Sequence, residues 1–197
     1  GDKMEKIIIR QGISLKDRFQ AGKLFMDAFY QKFRHTVKNE STFLNLISTG
    51  LNLDYCISAY ENSKLLGICG FQYGKYRFVN FYFRDFIKRY GIFAGTAKCV
   101  ACRFYYRKHK DGELLMDGIT VEKTARGLGI GSRMIKTLFS YATATGFKSI
   151  RLDVIDTNTN ARRLYEKLGF KAIKTEKSLF YKDIGFNSIT TMIKDIS

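Results

Sequence analysis

Apolar positions along this chain follow two rhythms, and each change of rhythm marks an element. Residues 5–10 (EKIIIR) form a β-branched run that predicts a first strand. Ser14 and Asp17 have capping-box spacing, with Asp in place of Glu. They open a helical pattern that puts Leu15, Phe19, Leu24, Phe25, Ala28 and Phe29 on one apolar face. A second helix is expected over residues 42–48, stopping near Gly50. Residues 55–59 and 65–73 read as strands, and Glu61, Asn62 and Ser63 between them supply hairpin-turn chemistry. From Arg77 to Tyr90, the residues Phe78, Phe81, Tyr82, Phe86 and Tyr90 recur at helical spacing, and residues 94–107 read as a further helix.

A strand is expected over residues 113–121, then a glycine-rich turn, then a helix carrying Met134, Ile135, Leu138, Phe139 and Ala142 and ending at Gly146. Residues 148–155 form the next strand. A helix separates the two strands, so they should lie parallel in one sheet. Residues 158–168 form a short helix ending at Gly169, and residues 170–175 and 188–193 are closing strands with a looser linker between. No repeat or linker divides the chain. The pattern predicts one α/β domain over residues 1–197, with residues 74–110 as a helical insertion between the third and fourth strands.

The chemistry concentrates where strand turns into helix. Backbone N–H groups converge on a glycine-rich turn at a helix N-terminus, and the helix dipole favours an anion there. Arg126-Gly127-Leu128-Gly129-Ile130-Gly131-Ser132 is such a turn. Read as a dinucleotide fingerprint, Gly127 and Gly129 fit and Ser132 stands in the third glycine position. Asp153 then lies where a ribose-binding acid would belong. That alternative, a nicotinamide-dependent oxidoreductase, lacks the further parallel strands a dinucleotide fold needs.

A second block lies downstream: Asn158, Ala161, Leu164, Tyr165, Gly169 and Phe170 in the spacing N-x-x-A-x-x-L-Y-x-x-x-G-F. Together with Arg126, Gly129 and Gly131 it resembles the GNAT superfamily of N-acyltransferases. Lys123 stands where that family often has Pro, and the insertion is the chief departure. The resemblance implies a mixed, mostly antiparallel central sheet of about seven strands, with a splayed parallel central pair and helices on both faces. It implies acetyl-CoA as acyl donor, with no metal, and an amine-bearing acceptor that attacks directly in a ternary complex. Backbone groups at Ile119, Thr120 and Val121 would pair with the pantetheine arm, the N–H groups from Gly127 to Ser132 would cradle the pyrophosphate, and Asn158 would contact the cofactor. Tyr165 would protonate the departing thiolate, a phenol with an ordinary pKa of about 10 being suited to that task. Asp117 is the first candidate for general base. Simple alternation gives it the parity of Ile119 and Val121, and Gly118 leaves room beside it; Glu113, Glu122 and an ordered water chain are alternatives.

Charge changes the picture of partners. There are 34 Lys and Arg against 18 Asp and Glu, a net +16, and residues 74–110 hold ten of those cations with Asp85 as their one acid. Such a field favours anions, CoA among them, and disfavours a polyamine acceptor unless a local acidic cleft overrides it. It also sustains a non-enzymatic reading, a basic module that binds nucleic acid or an anionic surface through residues 74–110. The glycine turn makes that the lesser reading, and nucleic acid is not expected as the partner. Cys99 and Cys102 form a C-x-x-C, but His35 and His109 lack metal-site spacing with them, so four reduced thiols and no metal are expected. No apolar run is long enough to span a bilayer, and residues 1–12 lack the core of a secretion signal, so a cytoplasmic location is expected. Exposed sheet edges and the aromatic insertion leave room for a homodimer.

Overall fold

The structure, a computed structural model, describes residues 6–108, 110–178 and 185–197. Among these residues eight strands form one sheet: β1 (Ile7–Gln11), β2 (Cys56–Glu61), β3 (Lys64–Tyr73), β4 (Tyr76–Arg77), β5 (Glu113–Val121), β6 (Ser149–Ile155), β7 (Lys171–Lys177) and β8 (Ser188–Asp195). Their order is β1-β2-β3-β5-β6-β8-β7, with the short β4 paired to β3. Every described pairing is antiparallel except β5 with β6. One parallel pair cannot build the doubly wound sheet of a dinucleotide fold, and the oxidoreductase alternative falls with it.

Among the described residues six α-helices cover the sheet: α1 (Arg18–Phe33), α2 (Glu40–Gly50), α3 (Phe83–Tyr90), α4 (Ile92–Arg103), α5 (Ile130–Ala144) and α6 (Thr159–Lys167). On one face Met134, Ile135, Leu138 and Ala142 of α5 pack with Leu114, Met116, Ile150, Leu152 and Val154. The opposite face carries a second core, in which Leu24 and Phe33 of α1, Phe43 and Ile47 of α2, and Phe86, Cys99 and Cys102 of the insertion meet Leu65 and Ile68 of β3. Period-two alternation in β6 is the cause of its split. Ile150, Leu152 and Val154 face α5, and Arg151 and Asp153 face the other way.

The hairpin forms as expected, with Asn62 and Ser63 both at positive φ, the geometry a two-residue turn between twisted strands requires. Other expectations change. The first strand starts at Ile7, and Glu5 lies outside the described residues, as do residues 179–184 of the linker between the closing strands. No capping box forms at Ser14: the Tyr60 hydroxyl donates to Asp17 at 3.0 Å instead, and α1 begins only at Arg18. Leu15, Phe19 and Ala28, expected on the apolar face, are exposed.

Residues 78–82 are extended rather than helical. Asn52 N–H donates to Phe78 O at 2.8 Å and Asn80 N–H to Gly50 O at 2.9 Å, and Val79 bridges Leu51. The Phe78 ring also fills the space above Gly70, where a Cβ would come within 2.3 Å of it. These long-range contacts override the helical spacing, so the helix starts at Phe83 and its successor spans 92–103 rather than 94–107. Of the aromatics at that spacing, Phe78, Phe81 and Phe86 are buried as core residues, Tyr90 is half-buried, and Tyr82 is exposed.

Candidate active site

Parallel strands β5 and β6 pair at only three positions, Glu113–Ser149, Leu114–Ile150 and Leu115–Arg151. Beyond Leu115 they splay. The groups that line the gap follow from backbone alternation. Glu122 N–H donates to Leu66 O of β3 at 2.7 Å. Successive N–H groups of a strand point to opposite sides, so Thr120 also turns its backbone to β3. Ile119 and Val121 turn theirs into the gap. Consistent with this, the Val121 carbonyl accepts from Arg126 Nε at 3.1 Å. That bond ties the first residue of the glycine turn to the end of the splayed strand.

The turn has the form of an anion cradle. Gly127 and Gly129 are at φ 82° and 72°, conformations that side chains with a Cβ resist. Gly129 caps α5, and no acidic residue occupies the first turn. Among the described residues, no acceptor takes the backbone N–H groups of residues 127–132. The first intrahelical bond runs from Arg133 N–H to Gly129 O, at 3.1 Å. Leu128 and Ile130 pack inward and anchor the turn to the α5 core, and Ser132 is half-buried in the first helical turn.

Asn158 caps α6, its Oδ1 accepting from Ala161 N–H at 3.2 Å. Seven residues on, the spacing Tyr165-x-x-x-Gly169-Phe170 has a local cause. Gly169 sits at φ 87°, and the chain reverses through bonds from Gly169 N–H to Glu166 O and from Phe170 N–H to Tyr165 O, both 3.0 Å. This is a Schellman closure, and its usual apolar contact is the Phe170 ring against Tyr165, centroids 5.9 Å apart. Tyr165 is thereby held at 5% exposure. Burial pushes its phenol well above the ordinary value, and the Cys69 thiol nearby adds to the shift. Cys69 pairs with Ile119 in the sheet, which places the phenol beside the splayed strand.

Asp117 is on the other side. A bulge interrupts the pairing of β3 with β5, so that Phe71 faces Met116 and Gly70 faces Gly118, with Asp117 between. Simple alternation gives Asp117 the parity of Ile119 and Val121; the bulge reverses this. Ile119 and Val121 pack on the α5 face, whereas Asp117 lines a small cavity with Phe25, Phe29 and Lys32 of α1. The room expected beside Gly118 is filled by the Phe29 ring, 2.4 Å from where a Cβ would stand. Of the alternative bases, Glu113 lies in the paired part of β5 against Arg151 at 3.3 Å, and Glu122 pairs with Lys64 at 3.0 Å.

Two residues join Asp117 that the sequence reading did not single out. Arg107 lines the same cavity and bonds Asp153 at 2.6 Å, and Lys32 stacks over Tyr105 at 4.9 Å. Lys32, Arg107, Tyr105 and Tyr106 also line an outer cleft of about 440 Å³ with Asp153, Lys108 and Lys174. One signal was present: Lys32 continues the spacing of Phe25 and Phe29, a cation on an apolar stripe. Burial pushes the Lys32 ammonium down to about 8 and the Arg107 charge adds to this, with Asp117 and Asp153 opposing. The neutral form is thus favoured on folding. Destabilisation by Lys32 is complete below pH about 8 and is relieved as pH rises towards 10.5, its ordinary value. The wild type should therefore gain stability relative to Lys32→Gln between those limits. Denaturant midpoints of both proteins at pH 7 and pH 10 check this, and a constant difference would refute it.

All four cysteines are free and buried, and no group of three metal-binding side chains occurs among the described residues. No described helix is long and apolar enough to cross a membrane.

Comparison with known proteins agrees with this geometry. A probable spermine N(1)-acetyltransferase of Bacillus subtilis subsp. natto is 29% identical over 47% of this chain and 56% of its own length. A thialysine N-epsilon-acetyltransferase of Bos taurus is 38% identical over 34% of this chain and 39% of its own. The chain thus spans about half the length or less of these curated relatives. Among solved structures, an N-acetyltransferase from Staphylococcus aureus superimposes with a TM-score of 0.64 at 16% identity, over 97% of this chain and 99% of that one. A Salmonella typhimurium acetyltransferase, solved with its cofactor acetyl-CoA, gives 0.61 at 15% identity, over 98% and 95%. These two likenesses establish the fold. The sequence model of the acetyltransferase (GNAT) family matches residues 20–170, which is most of the chain and holds both motif blocks, and the chain belongs to that family.

Proposed function

We propose that the protein transfers an acetyl group from acetyl-CoA to a primary amine by direct attack in a ternary complex. The observation that carries this reading is the junction of three features at one gap: the splay after Leu115, the unpaired N–H groups of residues 127–132, and the buried Tyr165 phenol. The chain's own groups fit the cofactor. The cradle accepts the pyrophosphate, and the gap-facing backbone of Ile119 and Val121 can pair with the pantetheine amides. Acetyl-CoA, when bound, supplies the activated thioester. A gap-facing N–H of β5 would stabilise negative charge developing on the carbonyl oxygen as the amine nitrogen bonds to the carbonyl carbon. Tyr165 would give its proton to sulfur as the C–S bond breaks. The proton lost by nitrogen leaves through the α1 face, where Asp117 is the proposed acceptor.

The acceptor enters from that same face. Asp153 presents a carboxylate oxygen there that is buried and has no hydrogen-bond partner among the described residues, so it suits an ammonium or N–H donor. Lys32, Lys108 and Lys174 stand around it. Two signs of charge in one cleft favour an acceptor with both an amine and a carboxylate, such as an amino acid or a peptide N-terminus, over the polyamine named for one relative. An acetylation screen over amino acids, peptides, aminoglycosides and polyamines tests this; turnover confined to polyamines would reverse it.

Acetyl-CoA at a hundredfold excess over Kd should raise the melting temperature by about 5–10 °C. No shift, together with no heat of binding by calorimetry, would sink the assignment. NAD in the same assay is expected to do nothing.

A further inference from the structure

Helix α4 presents its apolar residues outwards. Gly95, Cys99 and Cys102 form its buried side. At 100° per residue, the side directly opposite carries Phe93, Ala97, Val100, Ala101 and Phe104. All five are exposed; Phe93 is 90% exposed and Phe104 83%, and Ile92 at the helix start is 63% exposed. This face cannot turn inwards. The α3–α4 pair is anchored by Phe86, Cys99 and Cys102 in the core, and a Cβ on Gly95 would lie 2.6 Å from Phe86 O. An exposed stripe so placed contributes nothing to the core, and stripes of this extent mark contact surfaces.

Exposed cations accompany it in the same insertion: Lys88 of α3, Arg103 at the end of α4, and Lys108 and Lys110 beyond it, while Arg84 is paired with Asp85 and Arg89 bonds the Thr42 hydroxyl of α2. Arg103 stacks on the Phe83 and Tyr106 rings at 5.1 and 5.7 Å, which holds its charge at the rim of the stripe.

We propose that this face of α4 docks onto a membrane surface containing anionic phospholipid, with Phe93, Val100 and Phe104 entering the acyl boundary and the basic rim on the headgroups. An apolar helix face bounded by Lys and Arg is the composition that binds in the interfacial plane without spanning it. A second copy of the chain is the poorer occupant. A two-fold contact would set each basic rim against its twin in a protein that already carries +16. Nucleic acid is poorer too, because a stripe of Phe, Ala and Val offers no donor to phosphate and displaces the charges from it. The inference does not depend on the transfer chemistry. It does bear on it: Phe104 also lines the outer cleft, so docking would bring that cleft to the lipid surface.

Sedimentation with phosphatidylcholine vesicles, with and without phosphatidylserine, tests the proposal. The wild type should sediment with the phosphatidylserine vesicles, and raised salt should weaken this. Phe93→Ser combined with Val100→Ser should lower the vesicle partition coefficient more than about tenfold at an unchanged melting temperature, because both residues are solvent-exposed. Lys88→Glu should lower it about fivefold or more. Absence of sedimentation with anionic vesicles overturns the proposal. So does equal binding by the double variant. A concentration-dependent dimer that the double variant abolishes, with no vesicle binding by the wild type, assigns the face to self-association instead. Salt-sensitive binding to duplex DNA alone assigns the charge to nucleic acid.

Discussion

Tyr165→Phe is expected to lower turnover by about 10²–10⁴-fold and to leave acetyl-CoA affinity within about twofold. The substitution removes one O–H and keeps the ring, so the contact with Phe170 and the Schellman closure around Gly169 survive. Burial raises the phenol above its ordinary value, which at first weakens it as an acid. The departing thiolate, however, would form in the same dry pocket and suffer the same desolvation. Their relative basicity is therefore kept, and the raised value ensures that the phenol is protonated throughout the neutral range. Turnover and calorimetric affinity, measured on the same preparation, separate chemistry from binding. Unchanged turnover would remove Tyr165 from the mechanism.

Ser132→Glu should act in opposite directions on the fold and on the ligand. A carboxylate in the first turn of α5 meets the positive end of the helix dipole and should add about 0.3–1 kcal/mol to stability. The same carboxylate would stand where the pyrophosphate is proposed to sit. At about 5 Å and an effective dielectric of about 20, each like-charge pair costs about 3 kcal/mol, so affinity for acetyl-CoA should fall by about a hundredfold or more. A melting temperature equal to or above that of the wild type, with binding lost, is the expected pair of results. Retained binding would show that the cradle is not where the anion goes.

The sequence carried more of the glycine turn and its neighbouring helix ends than of the cleft on the α1 face, and the reason is physical. A glycine turn, a helix cap and a Schellman closure are short-range devices, settled within a few residues. Gly129, Asn158 and Gly169 therefore declared themselves by spacing. Asp117 depends on a bulge opposite Phe71, which is a property of two strands together. Counting along β5 alone put it on the wrong face. Residues 78–82 had helical spacing too, and lost it to bonds with Gly50 and Asn52 that no local pattern contains. Lys32 and Arg107 are 75 positions apart in sequence and meet only because α1 crosses the end of the insertion. The cleft proposed to take the acceptor is thus assembled from long-range contacts, which a single sequence does not spell out.

The seam of three residue pairs between β5 and β6 has a consequence for motion. Strands β6, β8 and β7 form a leaf whose described backbone pairing to the rest of the sheet ends at Leu115 and Arg151. An acyl donor lying in the gap would stand in for the missing rungs, bonding to the edge that Ile119 and Val121 leave open. The sheet would then be complete only while occupied. Each round of transfer would stitch the two leaves together and, as the spent cofactor departs, unstitch them, so that release of product and opening of the fold become one movement.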